Sequence, residues 1–191
     1  MVQNPLDNPD SKAYGEAINT RLYKIAIGKD GDATTLKAIA EYVYQLDDWQ
    51  EFKALGATDA TAPSSLRISE MTALGHDAYL VDERTDQIAK IFEIALDGAT
   101  DMLGSKWDDP ATAPSLEQSD DLAAAGVAPV SKTERIVASS LEGANPRYPG
   151  KIEGLSLTKD GKLFMINDND FGIGGDPTDI VIVEGSSVSP R

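Results

Sequence analysis

Lys151-Ile-Glu-Gly-Leu-Ser-Leu157, then Thr158-Lys-Asp-Gly161, then Lys162-Leu-Phe-Met-Ile-Asn167 is the stretch that decides the fold. Two short apolar runs flank an Asp-Gly pair. A glycine there supplies the positive φ of a tight reversal, so alternating runs around Asp-Gly read as an antiparallel hairpin. A third run, Asp179-Ile-Val-Ile-Val183, follows a Gly-rich connection and extends the hairpin to three strands.

Working outward, the same order recurs upstream. Leu66-Arg-Ile-Ser-Glu-Met-Thr72 is one run, Gly75-His-Asp77 a tight connection, and Ala78-Tyr-Leu-Val-Asp82 the next run. Ile88 to Leu96 follows after a polar turn, completing a meander. Glu70-Met-Thr-Ala-Leu74 overlays Glu153-Gly-Leu-Ser-Leu157, and Tyr79-Leu-Val-Asp-Glu83 overlays Phe164-Met-Ile-Asn-Asp168. A recurring strand unit closed by a polar acid is the pattern of propeller blades.

The flanks are less regular. Arg21 to Ile27 reads as a strand, with a turn at Gly28-Lys-Asp-Gly31. Leu36 to Leu46 fits a helix face at Leu36, Ile39, Ala40 and Val43 but a strand at Tyr42-Val-Tyr44, and strand is favoured at that end. From Asp97 to Lys132 the pattern dissolves, apart from a helical turn at Leu122-Ala-Ala-Ala125, and this reads as a long functional loop or insertion. Arg135-Ile-Val-Ala138 resumes strand character.

The expected fold class is therefore all-β, with antiparallel propeller-like blades: about two blades plus partial strands. The expected division is a polar segment 1–20, a propeller domain 21–185 containing the loop 97–132, and a tail 186–191. Too few strands are present to close a propeller alone. Open edges invite pairing, so the expectation is a portion of a larger propeller or one completed by a homo-oligomer.

Composition narrows the function classes. A formal charge of −15 over 191 residues argues against nucleic acid, which needs clustered Lys and Arg to displace counterions. The absence of cysteine excludes disulfides, thiol catalysis and thiolate metal sites. No run approaches the ~20 apolar residues of a membrane span, and residues 1–20 lack the apolar stretch of a signal peptide. Ser156 sits in Gly154-Leu-Ser-Leu-Thr158 without the second glycine of a nucleophile elbow, and His76 stands in a turn. A serine triad is disfavoured on both counts. Gly172-Ile-Gly-Gly175 follows an acidic run rather than opening a helix, which disfavours a dinucleotide cradle.

Lys151-Ile-Glu-Gly-Leu-Ser-Leu157 followed by Asp160-Gly-Lys-Leu-Phe-Met-Ile-Asn-Asp-Asn-Asp-Phe-Gly172 resembles the closing signature of the phytase-like ("esterase-like activity of phytase") β-propellers. Ile68-Ser-Glu-Met71, Ala78-Tyr-Leu-Val-Asp-Glu-Arg84 and Ala89 to Thr100 resemble the preceding blade. The similarity runs over about residues 60 to 185. It departs in lacking most N-terminal blades, and in having Thr85 where the family usually places another acid. The resemblance implies an exported, extracytoplasmic (periplasmic or secreted) protein, and hydrolysis of phosphoesters or carboxylesters. The competing expectation is a non-catalytic binding or scaffold module, or an inactive fragment, with a protein partner in place of a small anionic ester.

Asn167, Asp168 and Asp170 concentrate oxygen ligands just beyond a strand, the donor type that hard cations such as calcium prefer. The same residue types also build turns through side-chain hydrogen bonds to their own backbone. Propeller strands that start near an axis would gather Glu70, Glu83, Glu153 and Asp168 at one mouth, where calcium would neutralise the ester and polarise water. Arg84, Arg147 and Lys151 are the candidates to meet a phosphate.

Overall fold

The computed structural model describes residues 15–109, 111–185 and 188–190. Residues 1–14 of the expected polar segment, and residues 186, 187 and 191 of the expected tail, lie outside them. The fold is all-β. Nine strands among the described residues form three antiparallel sheets. The chain divides into two compact units, Met1–Leu46 with Leu96–Ser131, and Asp47–Ala95 with Lys132–Arg191.

The first unit is built on a hairpin of β1 (Asn19–Asp30) and β2 (Ala33–Gln45). The stretch 36–45 is strand throughout, with Leu46 just beyond its end, because pairing with β1 overrides its helical spacing. The turn lies at Gly31-Asp32, at the C-terminal end of the expected Gly28-Lys-Asp-Gly31, with Gly31 at φ 59°. Near its base the hairpin is covered by the long connection. Val43 packs with Met102, Leu116, Leu122 and Val127, while Met102 N–H donates to Glu41 O and Val130 N–H to Val43 O. The connection is thus a packed segment, tied down by short 3-10 turns and by the helical turn in which Ala125 N–H reaches Asp121 O. Toward its tip the hairpin is uncovered. Ile25, Ile27, Leu36 and Ile39 are all exposed there.

The second unit holds a four-stranded sheet ordered β3 (Arg67–Gly75), β4 (Ala78–Arg84), β5 (Ile88–Ala95), β6 (Ser131–Ser139). A three-stranded sheet follows, ordered β7 (Ile152–Leu157), β8 (Leu163–Asn167), β9 (Ile180–Val183). The β3–β4 turn places His76 and Asp77 both at positive φ, the primed hairpin geometry that matches strand twist.

Side chains alternate across a strand, so β4 sends Ala78, Leu80, Asp82 and Arg84 one way and Val81 and Glu83 the other. The first face meets the β7–β9 sheet in a core of Leu80, Ala89, Ile91, Ile152, Leu163, Met165 and Val188. Each Leu, Ile, Val or Met side chain among them contributes about 1.5–3 kcal/mol on burial. The second face is covered by α1 (Trp49–Ala54), a helix the strand pattern does not announce. Asp48 caps it by accepting Gln50 N–H at 2.9 Å, and Phe52 is fully buried.

The two hairpins repeat in register. Met71↔Val81, Thr72↔Leu80 and Ala73↔Tyr79 match Gly154↔Ile166, Leu155↔Met165 and Ser156↔Phe164 pair for pair. They part company at the bulge. In the first hairpin the extra residue is Ser69, leaving Glu70 opposite Asp82; in the second it is Glu153 itself. The overlaid glutamates therefore occupy different places in their ladders.

Candidate functional site

Arg84 is the hub of the charged end of β4. It is buried, and its guanidinium fans across three neighbours: Nε donates to Ser69 Oγ at 2.8 Å, Nη1 to Asp86 Oδ1 at 2.9 Å, and Nη2 to Glu153 Oε1. The planar fork spreads its donors over three nitrogens, which suits partners placed around it, whereas a lysine would donate from a single atom. The bulges at Ser69 and Glu153 turn those two side chains toward it.

Beside this hub, β8 runs into Asn167-Asp168-Asn169-Asp170-Phe171-Gly172. Asp168 Oδ1 accepts Asp170 N–H at 2.9 Å, and Asn167 Oδ1 accepts Asp179 N–H at 2.7 Å while its Nδ2 donates to Pro177 O at 3.1 Å. Asp170 and Phe171 both take left-handed φ, and Phe171 stands in solvent. Asp170 Oδ2 accepts from Lys151 Nζ, and this ammonium holds the Asp170 carboxyl below its usual range. All three residues expected as metal ligands thus have turn duties as well.

Asp168 and Asn167 line a cleft of about 330 Å³ with Asp86, Asp176, Asp179, Arg147 and Lys151. Its carboxylates and the Asn167 amide offer oxygens, the donor type a hard cation requires, while Arg147 and Lys151 bring positive charge to the same lining. Among the described residues, however, the carboxylate triad whose ligand atoms converge within 4.8 Å is elsewhere: Asp47, Glu51 and Glu134. That triad already holds a cation of its own. Lys90 Nζ lies 2.7 Å from Asp47 Oδ2, 2.7 Å from Glu51 Oε2 and 3.2 Å from Glu134 Oε2, with its charge 5.0 Å from the Phe52 ring centre. Burial alone would lower the Lys90 pKa, but the hydrogen bonds to Asp47 and Glu51 outweigh it and raise it. A divalent ion would have to displace this ammonium. The donor type of the Asp168 cleft fits calcium; the convergence at the Asp47 triad is spoken for.

The four acids expected around one mouth are distributed as follows. Glu153 joins Arg84, and Asp168 lines the adjoining cleft. Glu83 faces the α1 side, fully buried, accepting Asp47 N–H and Lys132 Nζ at 2.6 Å each. Glu70 accepts its neighbour Met71 N–H at 2.8 Å and borders a second, largely apolar cleft with Gly154, Phe164 and Ile180. The period-two alternation of β4 separates Glu83 from the other three. Opposite Glu70 sits Asp82, wholly buried with neither oxygen hydrogen-bonded. Burial pushes its carboxyl well above the usual range, helped by Glu83 and Glu70 and opposed by Arg84.

Sequence reasoning missed Lys90 and Asp82; Lys90 carried a signal, as an ionisable residue inside the apolar run from Ile88 to Phe92, while Asp82 only closes the run from Ala78 to Val81. It also missed a cluster in the first unit. Buried Arg21 donates to Glu41 Oε1 at 2.6 Å and Glu117 Oε1 at 2.7 Å. Glu41 is pushed up to about 7 by burial and by the nearby Asp108 carboxyl, against the pull of Arg21. Ser156 is exposed on β7 and His76 in its turn.

No curated protein and no solved structure matches the chain. The sequence model described as "Esterase-like activity of phytase" matches residues 1–171. With that span matched, and the paired hairpins and antiparallel sheets described above, the chain belongs to the phytase-like family.

Proposed function

We propose that the chain hydrolyses a small anionic ester, a phosphoester before a carboxylester, at the cleft beside Asp168. What carries this reading is the lining of that cleft: Arg147 and Lys151 stand among Asp86, Asp168, Asp176 and Asp179 in a single depression. Two cations suit an anionic oxygen, while the carboxylates suit a hard metal ion or a proton transfer. Arg147 is steadied by its Nε donating to Ser140 O at 2.8 Å. Lys151 is paired with Asp170, and an arriving phosphate competes for that ammonium. Of the expected catalytic acids, Asp168 and Glu153 are the ones this reading uses; Glu153 acts by holding Arg84. Calcium, when bound, supplies neutralisation of the ester and a polarised water. The family membership supports hydrolysis, and a place outside the cytoplasm is proposed on the same ground. Among the described residues no helix is long and apolar enough to cross a membrane.

The test is thermal unfolding in calcium against chelator, for the parent chain and for Asp168→Asn with Asp170→Asn, followed by turnover of a chromogenic phosphoester. A calcium-dependent rise in melting temperature that the double variant loses is the expected result. No shift, together with no turnover, leaves the acidic run as turn chemistry and overturns the reading. A binding-module reading is favoured by a different observation, the exposed Ile180 and Ile182 on the outer face of β9.

A further inference from the structure

The outer face of the β7–β9 sheet is ordered in rows across the strands. Gly154, Ile166 and Ile180 are paired in one row, and Ser156, Phe164 and Ile182 in the next. Cross-strand partners share a side, so the two rows make one surface. Gly154 raises no side chain, and Ile166 lies so close over it that an added methyl group would run into Ile166 Cγ2. The neighbouring strand β3 lies against β7. From it Glu70 joins Gly154, Ser156, Phe164, Ile166 and Ile180 in lining a cleft of about 420 Å³. That volume falls within the ~300–1,000 Å³ of small-molecule sites, and the lining follows their pattern of an apolar floor with few polar groups.

Among the described residues of that lining, Glu70 is the one that carries a charge. It is half-buried, and its Oε1 accepts Met71 N–H at 2.8 Å. Among the described residues no Lys, Arg or His is paired with it, and its Oε2 accepts no hydrogen bond. Other acids of the same unit are committed. Glu83, Glu153, Asp170 and Glu184 are paired with Lys132, Arg84, Lys151 and Lys162 in that order. Across the ladder from Glu70 stands Asp82, wholly buried with neither oxygen hydrogen-bonded. Glu70 Oε2 and both Asp82 oxygens are therefore acceptors without a donor.

The chemistry of the lining decides what fits. Calcium takes about six to eight oxygens, and one carboxylate with one hydroxyl falls far short. An anionic ester is repelled by Glu70 and meets no Lys or Arg among the described lining residues. A protonated amine with an aromatic or branched aliphatic body suits both parts of the cleft. Its ammonium donates to Glu70 and to the exposed Ser156 hydroxyl, while its body covers Phe164, Ile166 and Ile180. A cation resting on Glu70 also offsets the repulsion between Glu70 and Asp82.

We propose that this cleft binds a small primary ammonium compound with an apolar body, held at its charged end by Glu70. It selects a ligand of opposite sign to that of the Asp168 cleft, whose lining includes Arg147 and Lys151.

The test is an NMR titration of the 191-residue chain, isotope-labelled at its amides, with phenethylammonium. Salt at about 0.15 M screens the general pull of a net charge of −15 on any cation. The expected result is saturable shifts at the amides of Gly154, Ser156, Ile166 and Ile180, with a Kd of about 0.1–10 mM, as suits a ligand this small. Phenethyl alcohol, which keeps the body and loses the charge, should bind at least about tenfold more weakly. Methylammonium, which keeps the charge and loses the body, should do the same. Both comparisons use the parent chain and need no variant to fold. Glu70→Gln should also weaken phenethylammonium at least about tenfold, with the amide spectrum itself reporting that the variant is folded. Shifts that never saturate overturn the proposal, as does equal binding of the amine and the alcohol. So do undiminished binding to folded Glu70→Gln, and shifts centred on Asp168 to Asp170 instead of the sheet.

Discussion

Replacing Lys90 with methionine keeps the aliphatic stem but removes the ammonium that three carboxylates share. Asp47, Glu51 and Glu134 then face one another within 4.8 Å without a counter-charge. Stripping one partner from a fully buried pair costs about 3–5 kcal/mol. Here the side chains are 22%, 59% and 45% exposed in that order, so water screens the last two and only Asp47 approaches the buried case. Loss of the contact with the Phe52 ring removes about 0.5–1 kcal/mol more. The expected destabilisation is about 2–3 kcal/mol in urea unfolding, read as a lower midpoint at constant slope. In a chain of this length that is a drop of roughly 5–10 °C in melting temperature. Millimolar calcium should raise the variant's midpoint by more than it raises the parent's, since the vacated triad can then take a divalent ion. A variant within about 0.5 kcal/mol of the parent would refute the idea that this ammonium organises the α1 face.

Stability should also depend on Glu41. Its pKa rises from 4.5 to about 7 on folding, so between those values the native state holds more protons than the unfolded chain. Stability then falls as pH rises through that window, by at most about 3 kcal/mol, and Glu41→Gln should flatten the profile. Equilibrium unfolding at a series of pH values checks this. Gly154→Ala places a methyl group well inside contact distance of Ile166 Cγ2 and should cost about 1–3 kcal/mol. Adding Ile166→Ala should recover much of that, and a double-mutant cycle on the pair measures the coupling.

The strands of the second unit were legible because local signals and tertiary demand agreed there. Asp160-Gly161 and Gly75 to Asp77 set the reversals, and the apolar faces of β4, β5 and β8 found each other. Residues 36–46 were ambiguous because Leu36 and Ile39 are exposed. With no core to face, their spacing obeys neither period cleanly. The connection 97–132 reads as a long functional loop or insertion because its order comes from backbone bonds to β2 rather than from any periodicity of its own. For the site, residue type was readable and direction was not. Glu83 and Arg84 are adjacent letters on opposite faces, and the position of a bulge, which decides what a side chain meets, leaves no mark on composition.

That one-residue displacement between the hairpins means that duplicated units can diverge without exchanging a single acid. Sliding the irregularity from Ser69 in one copy to Glu153 in the other leaves Glu70 against the buried Asp82 and hands its counterpart to a guanidinium. An engineer transplanting one hairpin's letters onto the other's backbone would therefore carry over the spelling but lose the wiring, unless the kink moved with them.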